Sequence, residues 1–253
     1  MRVTILGCGT SSGVPRIGGV WGACDPENPK NRRRRVSILV EEGGTRLLVD
    51  TSPDLREQLL DAGVDHLDGV LYTHDHADHT HGIDDLRGLF HCMGRKIDVY
   101  GDARTLEILQ KRFDYVFASK GGYPAFCQAH EISGRFGIGE IDIVPFEQVH
   151  GPITSLGFRF GPVAYSTDLS DLSEESFATL KGVEVWIVDA LRYDPHPTHL
   201  HLDLTLKWIK KVAPKRAYLT HMTWDMDYET LMRTLPEGVE PAYDGLVIDA
   251  EKL

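Results

Sequence analysis

Basic charge is scarce in this sequence: 27 Lys and Arg stand against 38 Asp and Glu over 253 residues, a formal net charge of −11. A face that grips nucleic acid or anionic lipid normally needs the opposite balance, so stable nucleic-acid or membrane binding is not expected. No run approaches the roughly 20 apolar residues of a membrane span. The opening Met1-Arg2-Val3-Thr4-Ile5-Leu6 passes into Gly7-Cys8-Gly9 without a secretory-leader pattern. Cysteine is equally sparse: Cys8, Cys24, Cys92 and Cys127 form no C-x-x-C pair and no framework spacing. Scattered thiols in a leaderless chain suit a reducing compartment, so a cytoplasmic location is expected, with Cys8 and Cys24 read as packed thiols before ligands. Internal repeats, low-complexity tracts and linkers are missing too. With hydrophobic residues at 42% and charged ones at 26%, residues 1–253 read as a single folded domain.

What is present is a series of short β-rich runs alternating with amphipathic segments. Ten strands are predicted, at Val3–Leu6, Val36–Val40, Arg46–Asp50, Val70–Thr73, Ile97–Tyr100, Ile141–Pro145, Phe158–Phe160, Val163–Thr167, Val185–Asp189 and Arg216–Thr220. Glu41-Glu42-Gly43-Gly44 reads as a hairpin turn. Ser52 before Pro53 predicts an N-cap for a helix with Leu55, Leu59 and Leu60 on its apolar stripe, ended by Gly63. Further helices are expected after Asp102 and over about Leu200 to Val212. The fold class that follows is α/β, with mixed sheets and helices outside them. Lys111–Gly137 carries Phe113, Tyr115, Phe117, Tyr123 and Phe126 without clear periodicity, and two readings stand: an ordered cap near a pocket, or a packed surface excursion.

The segment richest in chemistry is Thr73-His74-Asp75-His76-Ala77-Asp78-His79-Thr80-His81, directly after an apolar run. Imidazoles at i, i+2 and i+5 with a carboxylate at i+4 make little sense as packing, because half-buried rings in one turn repel and cost desolvation. Imidazole with carboxylate suits Zn²⁺, Mn²⁺ or Fe²⁺. Three more predicted strands run into a residue of ligand type: His150, Asp168 and His221. Loops at strand ends are where a rigid scaffold presents functional groups.

With these residues the chain resembles the metallo-β-lactamase superfamily of hydrolases over nearly its whole length. Within it, the chain looks most like the cyclic-phosphodiesterase branch of the phosphonate-degrading carbon–phosphorus lyase pathway. The motifs that carry the likeness are Gly9-Thr10-Ser11-Ser12-Gly13-Val14-Pro15, Asn31-Arg32-Arg33 before Ser37, the histidine-rich run, Asp84-Asp85-Leu86-Arg87 and Leu219-Thr220-His221. The resemblance implies an αββα four-layer sandwich with two divalent metal ions, Zn²⁺ or Mn²⁺, at one edge. It assigns His74, His76 and His150 to the first ion, Asp78, His79 and His221 to the second, and Asp168 to both. Five neutral imidazoles and two carboxylates leave two dications with a formal charge of about +2, and a bridging hydroxide brings it to about +1. Such a site suits a phosphodiester anion. The implied reaction is attack of the bridging hydroxide on a small phosphate ester, cyclic, ribosyl or nucleotide-like. An aspartate at 168 resembles phosphodiesterases, thioesterases and nucleases, so β-lactam hydrolysis is not expected. The resembling enzyme's separate structural zinc site has only Cys24 left here, with Trp224 at the distal position, so no such site is expected.

His199 is the expected general acid and substrate-phosphate contact, at the start of a helix whose N-terminus would favour phosphate, with His201 as its rival. His196, between prolines, reads as a loop residue, and His81 as supporting or surface. Asp50 either orients a ligand imidazole or caps the next helix; Asp78 would combine ligation with accepting a proton. Arg87 either reaches phosphate or pairs with Asp84, and Arg32–Arg35 read as a phosphate funnel or a solvated, ion-paired loop. Two rivals share the ligands, a tRNA-processing-type ribonuclease and a glyoxalase-type thioesterase; a non-catalytic binding module is the third. The expected partner is a small phosphate ester, with a homodimer as the assembly to test.

Overall fold

The computed structural model describes residues 1–252. One seven-stranded sheet contains β1 (Arg2–Gly7), β2 (Ser37–Glu42), β3 (Thr45–Val49), β4 (Gly69–Leu71), β5 (Ile97–Gly101), β6 (Cys127–Glu131) and β14 (Val247–Asp249), in the order β14-β1-β2-β3-β4-β5-β6. The other contains β7 (Phe136–Ile138), β8 (Ile141–His150), β9 (Ile153–Phe160), β10 (Val163–Ser166), β11 (Val185–Asp189), β12 (Arg216–Thr220) and β13 (Val239–Pro241), in the order β13-β12-β11-β10-β9-β8-β7. The helices are α1 (Leu55–Asp61), α2 (Ala77–Thr80), α3 (Leu86–Met93), α4 (Ala103–Arg112), α5 (Asp114–Phe117), α6 (Glu174–Leu180), α7 (Leu202–Val212) and α8 (Tyr228–Thr234).

Period-two alternation sets the layers. Ile38 and Val40 of β2 face the second sheet together with Leu47 and Val49 of β3, in one cluster with Ile143, Phe158, Phe160 and Ile187. Leu39 and Leu48, one residue out of phase, face the other way onto Leu55, Leu59, Leu86 and Leu109 of the helices. A sheet apolar on both faces must be covered on both. Leu202 and Ile209 of α7 belong to the same buried cluster, which takes in both faces of the second sheet, with Phe177 of α6 edge-on to Trp208. The result is an αββα sandwich.

Strand direction gathers the chemistry at one edge. β3 to β6 are mutually parallel, as are β10 to β13. β8 is antiparallel to β9, which is antiparallel to β10, so β8 ends on the same side as β10. Asp50, His74, His150, Asp168, Asp189 and His221 all stand at or just beyond the C-terminal ends of such strands. Three of them (Asp50, Asp168 and His221) have φ of 63°, 55° and 58°, in the left-handed region that non-glycine residues avoid. Each costs on the order of 1 kcal/mol, a strain that collects where side-chain aim matters more than backbone comfort.

Several sequence expectations need correction. Fourteen strands form among the described residues where ten were predicted; β6, β7, β13 and β14 were missed, and β6 and β7 take the last part of Lys111–Gly137 into sheet edges. Ser52 is not the N-cap of α1: Asp54 holds that position, while the Ser52 hydroxyl bonds the Asp54 N–H and Gln58. Leu60 points outward, 61% exposed. The 41–44 turn is a hairpin as expected, with Gly43 and Gly44 both at positive φ (55° and 95°).

Candidate active site

The histidine-rich run leaves β4 as an extended loop and closes into α2, so His74 and His76 come from the loop while Asp78 and His79 come from the helix's first turn. Three overlapping groups converge there among the described residues: His74, His76, His150 and Asp168; Asp78, His79, His221 and Asp168; and Asp168, Asp189, His199 and His221. The structure therefore brings together all seven residues that the resemblance assigned to ligation. Asp168 divides its oxygens between them. Its Oδ1 lies 3.1 Å from His79 Nε2 and 3.3 Å from His221 Nε2; its Oδ2 lies 3.6 Å from His150 Nε2 and 3.8 Å from His74 Nε2. Asp78 Oδ2 sits 3.4 Å from His79 Nε2 and 3.6 Å from His221 Nε2.

Three of the outer ring nitrogens have partners, while His221 Nδ1 is buried without one. His79 Nδ1 donates to Asp50 at 2.7 Å, His150 Nδ1 to the Thr198 carbonyl at 2.8 Å, and His74 Nδ1 lies 3.0 Å from Thr73 Oγ1. Asp50 also accepts the Thr73 N–H and hydroxyl, both at 2.8 Å, which settles its role as an orienting carboxylate rather than a helix cap. Such partners fix the tautomer and aim of a ligating ring. By contrast, His74 Nε2, His79 Nε2 and His221 Nε2 are buried and have no hydrogen-bond partner. Buried nitrogens left without partners cost energy unless something takes their lone pairs, and two divalent cations fit this donor set.

Electrostatics agree. Burial holds the His74 imidazolium well below its ordinary range, and burial likewise lowers His150, so both rings are neutral donors. Burial opposes charge on His79, but Asp168, Asp78 and Asp50 outweigh it and draw a proton on. A negative field of that strength is also what cations would occupy. Burial opposes the Asp78 and Asp168 carboxylates too, yet the histidines around them hold both well below the usual carboxylate range.

His199 lies in the loop before α7, not at its N-terminus; His201 is the N-cap, so the expected helix-terminus contribution at His199 is absent. His199 Nε2 stands 3.8 Å from Asp168 Oδ2, its ring stacks on His221 at 4.8 Å, and it lines the same pocket. His201 does not line that pocket. The Asp189 carboxylate accepts His199 Nδ1–H at 2.9 Å. Burial works against the imidazolium, but Asp189, by charge and by hydrogen bond, pushes its pKa up to about 9. Asp189 also receives the Asp168 N–H at 3.1 Å, linking His199 to the backbone of Asp168. Sequence reading placed Asp189 only at a strand end. An apolar strand stopping at a carboxylate, as at Asp50, was the available signal.

The pocket holds about 230 Å³ and is bordered by Ser11, Pro152, Ile153 and Thr198 besides the histidines and carboxylates. Ser11 reaches it because Thr10 N–H bonds the Met222 carbonyl at 3.1 Å, laying the first loop beside His221. The arginines stay away. Arg87 pairs with Asp84 at 2.7 Å, Arg34 with Asp61 at 2.6 Å and Arg35 with Asp54 at 3.1 Å, so no phosphate funnel forms from them. His81 is exposed against Phe113, and His196 is a loop residue 5.2 Å from His199. Arg33 is buried, 2% exposed, with its guanidinium donating to the carbonyls of Met226 (2.7 Å) and Thr223 (3.2 Å) beside Cys24. Cys8 and Cys24 are buried free thiols.

A sandwich of two mixed sheets with His and Asp clusters at one edge defines a metal-dependent hydrolase architecture, and the chain belongs to the beta-lactamase superfamily, whose domain family matches residues 45–222. The crystal structure of a new diphosphatase from the PhnP family shares 36% identity over 98% of this chain and 97% of that one, with a TM-score of 0.90, which places the chain in that family. Over 97% of its length it is also 34% identical to a Porphyromonas gingivalis octanoyltransferase, and over 52% of its length 31% identical to ribonuclease Z from Bradyrhizobium diazoefficiens. The chain spans about half the length of both relatives, 51% and 46% respectively.

Proposed function

We propose that the protein is a dinuclear-metal phosphoesterase acting on a small phosphodiester, cyclic, ribosyl or nucleotide-like. The observation that carries this reading is Asp168, one carboxylate with an oxygen turned to each of two histidine groups. His74, His76 and His150 would hold one divalent ion, zinc or manganese, and Asp78, His79 and His221 the other. Bound there, a pair of such ions acidifies water, orients a phosphoryl group and offsets its developing charge.

The chain's own residues do the rest. Asp189 fixes His199 with its Nδ1 occupied, so the Nε2 proton points into the pocket. With a pKa near 9, that ring is protonated at neutral pH and placed to give its proton to the departing alkoxide. Asp78 stays ionised, as a ligand must, and can take a proton from attacking water. Pro152 and Ile153 add an apolar side to the pocket. A volume of about 230 Å³ suits a small ester better than a polynucleotide, and the net charge of −11 weighs the same way.

Likeness to a named diphosphatase supports a second reading, hydrolysis of a diphosphate linkage at the same ions. Metal-quantified protein should be assayed on bis(p-nitrophenyl) phosphate, 2′,3′-cyclic nucleotides, a dinucleoside diphosphate, an acyl thioester and a precursor tRNA. Turnover of the cyclic nucleotides is expected; turnover of the diphosphate alone would favour the second reading. Activity confined to the thioester or the tRNA would overturn both.

A further inference from the structure

We propose that Arg112, outside the ligand set, is a positioning residue that fixes the direction of His76 through the backbone of Asp75. The inference rests on the dinuclear reading above and extends it to a helix on the outer layer.

Asp75 lies between two candidate ligands and is 7% exposed. His74 and His76 turn to the metal cluster, and Asp75 turns the other way, to α4. There a single guanidinium spans the residue. Arg112 Nη1 donates to the Asp75 carbonyl at 2.7 Å, while Nη2 stands 3.6 Å from its carboxylate Oδ2. Arg104, at the other end of α4, adds an ion pair at 3.1 Å to Oδ1, without hydrogen-bond alignment. α4 is itself a firm anchor: Asp102 caps it through Thr105 N–H, and Leu106 and Leu109 are buried.

The three histidines of the first group differ in how they are held. Thr73 lies beside the outer nitrogen of His74, and the Thr198 carbonyl holds that of His150. His76 is exposed and has no such partner; its Nδ1 faces His150 Nε2 at 3.3 Å, inside the cluster. Its ring therefore depends on its backbone. The peptide after His76 is held by α2, where Thr80 Oγ1 and His79 N–H bond the His76 carbonyl at 2.9 and 3.1 Å. The peptide before it, between Asp75 and His76, is held from outside by Arg112. The planar fork of arginine can address a carbonyl and a carboxylate of one residue together, and a lysine ammonium cannot.

The test is a competition titration of Zn²⁺ into the metal-stripped full chain with a chromophoric chelator. Wild type is expected to bind two ions. Arg112→Ala and Arg112→Lys should each weaken one of the two by about tenfold or more, the size seen when partners of a metal-ligating ring are removed. Arg104→Ala should stay within about fivefold of wild type, as a half-exposed ion pair implies. Thermal melting of the metal-free proteins checks that the variants are folded. Two wild-type-like affinities in folded Arg112→Ala or Arg112→Lys would overturn the tether alone. A wild type that binds no zinc would overturn the dinuclear reading and the tether with it.

Discussion

Replacing Asp189 by Asn tests whether His199 works as an acid, because it changes the ring's proton affinity more than its position. Two contributions from Asp189, charge and hydrogen bond, lead those that lift His199 against burial to about 9. An amide oxygen can still accept Nδ1–H but offers no charge, so the ring should return toward its ordinary 6.5. The folded pKa is raised, so the acid form persists up to it and is lost as pH rises through it. At pH 8, a ring titrating near 9 is about nine-tenths protonated, and one back in its ordinary range only a few per cent, a difference of more than about tenfold in competent acid. At pH 6 the two proteins are nearly equal. Cations beside Asp168 lower both titrations together, so the separation between the alkaline limbs is the readout. The assay is the pH profile of 2′,3′-cyclic nucleotide hydrolysis, whose alkoxide departs badly without a proton. Bis(p-nitrophenyl) phosphate, with an acidic leaving group, serves as control. The Asp189→Asn limb should fall about two pH units earlier on the cyclic nucleotide and much less on the control. Coincident limbs on the cyclic nucleotide, at equal metal content, would refute the reasoning.

Other outcomes follow from the same geometry. His199→Ala should lower cyclic-nucleotide turnover by about 10²-fold or more and leave metal content, read by elemental analysis, unchanged; equal loss of metal would make it a ligand. Asp50→Ala strips His79 and Thr73 of their common acceptor and should weaken metal binding by about 10- to 100-fold in a chelator competition. Arg33→Met leaves the Thr223 and Met226 carbonyls without their buried donor, costing about 3 kcal/mol. Calorimetry should show a melting temperature lower by about 6–12 °C, and an unchanged one would mean that this guanidinium is dispensable.

Much of this was legible because burial leaves a mark on composition. Strands such as Val185–Asp189 and Arg216–Thr220 carry long apolar runs, and their observed bounds match the predicted ones. The histidine spacing is costly without a function, so it stands out from any packing pattern. What was missed lies where burial is weak or nonlocal. Cys127–Glu131 and Val247–Asp249 are edge strands of mixed composition, held by pairing to β5 and β1 rather than by their own side chains. Arg33 looked like its neighbours Arg32 and Arg34; only the approach of residues 223–226, distant in sequence, makes it a buried cross-link. Asp189 showed only as a carboxylate ending an apolar strand, and Arg112 meets Asp75 from far along the sequence, where no local pattern marks it.

Most direct of all would be anomalous diffraction from crystals soaked in Mn²⁺ or Zn²⁺. Two peaks about 3.5–4 Å apart are expected, one beside His74, His76 and His150 and the other beside Asp78, His79 and His221, with Asp168 touching both. A single peak, or two that leave Asp168 uncoordinated, would contradict the shared-carboxylate site.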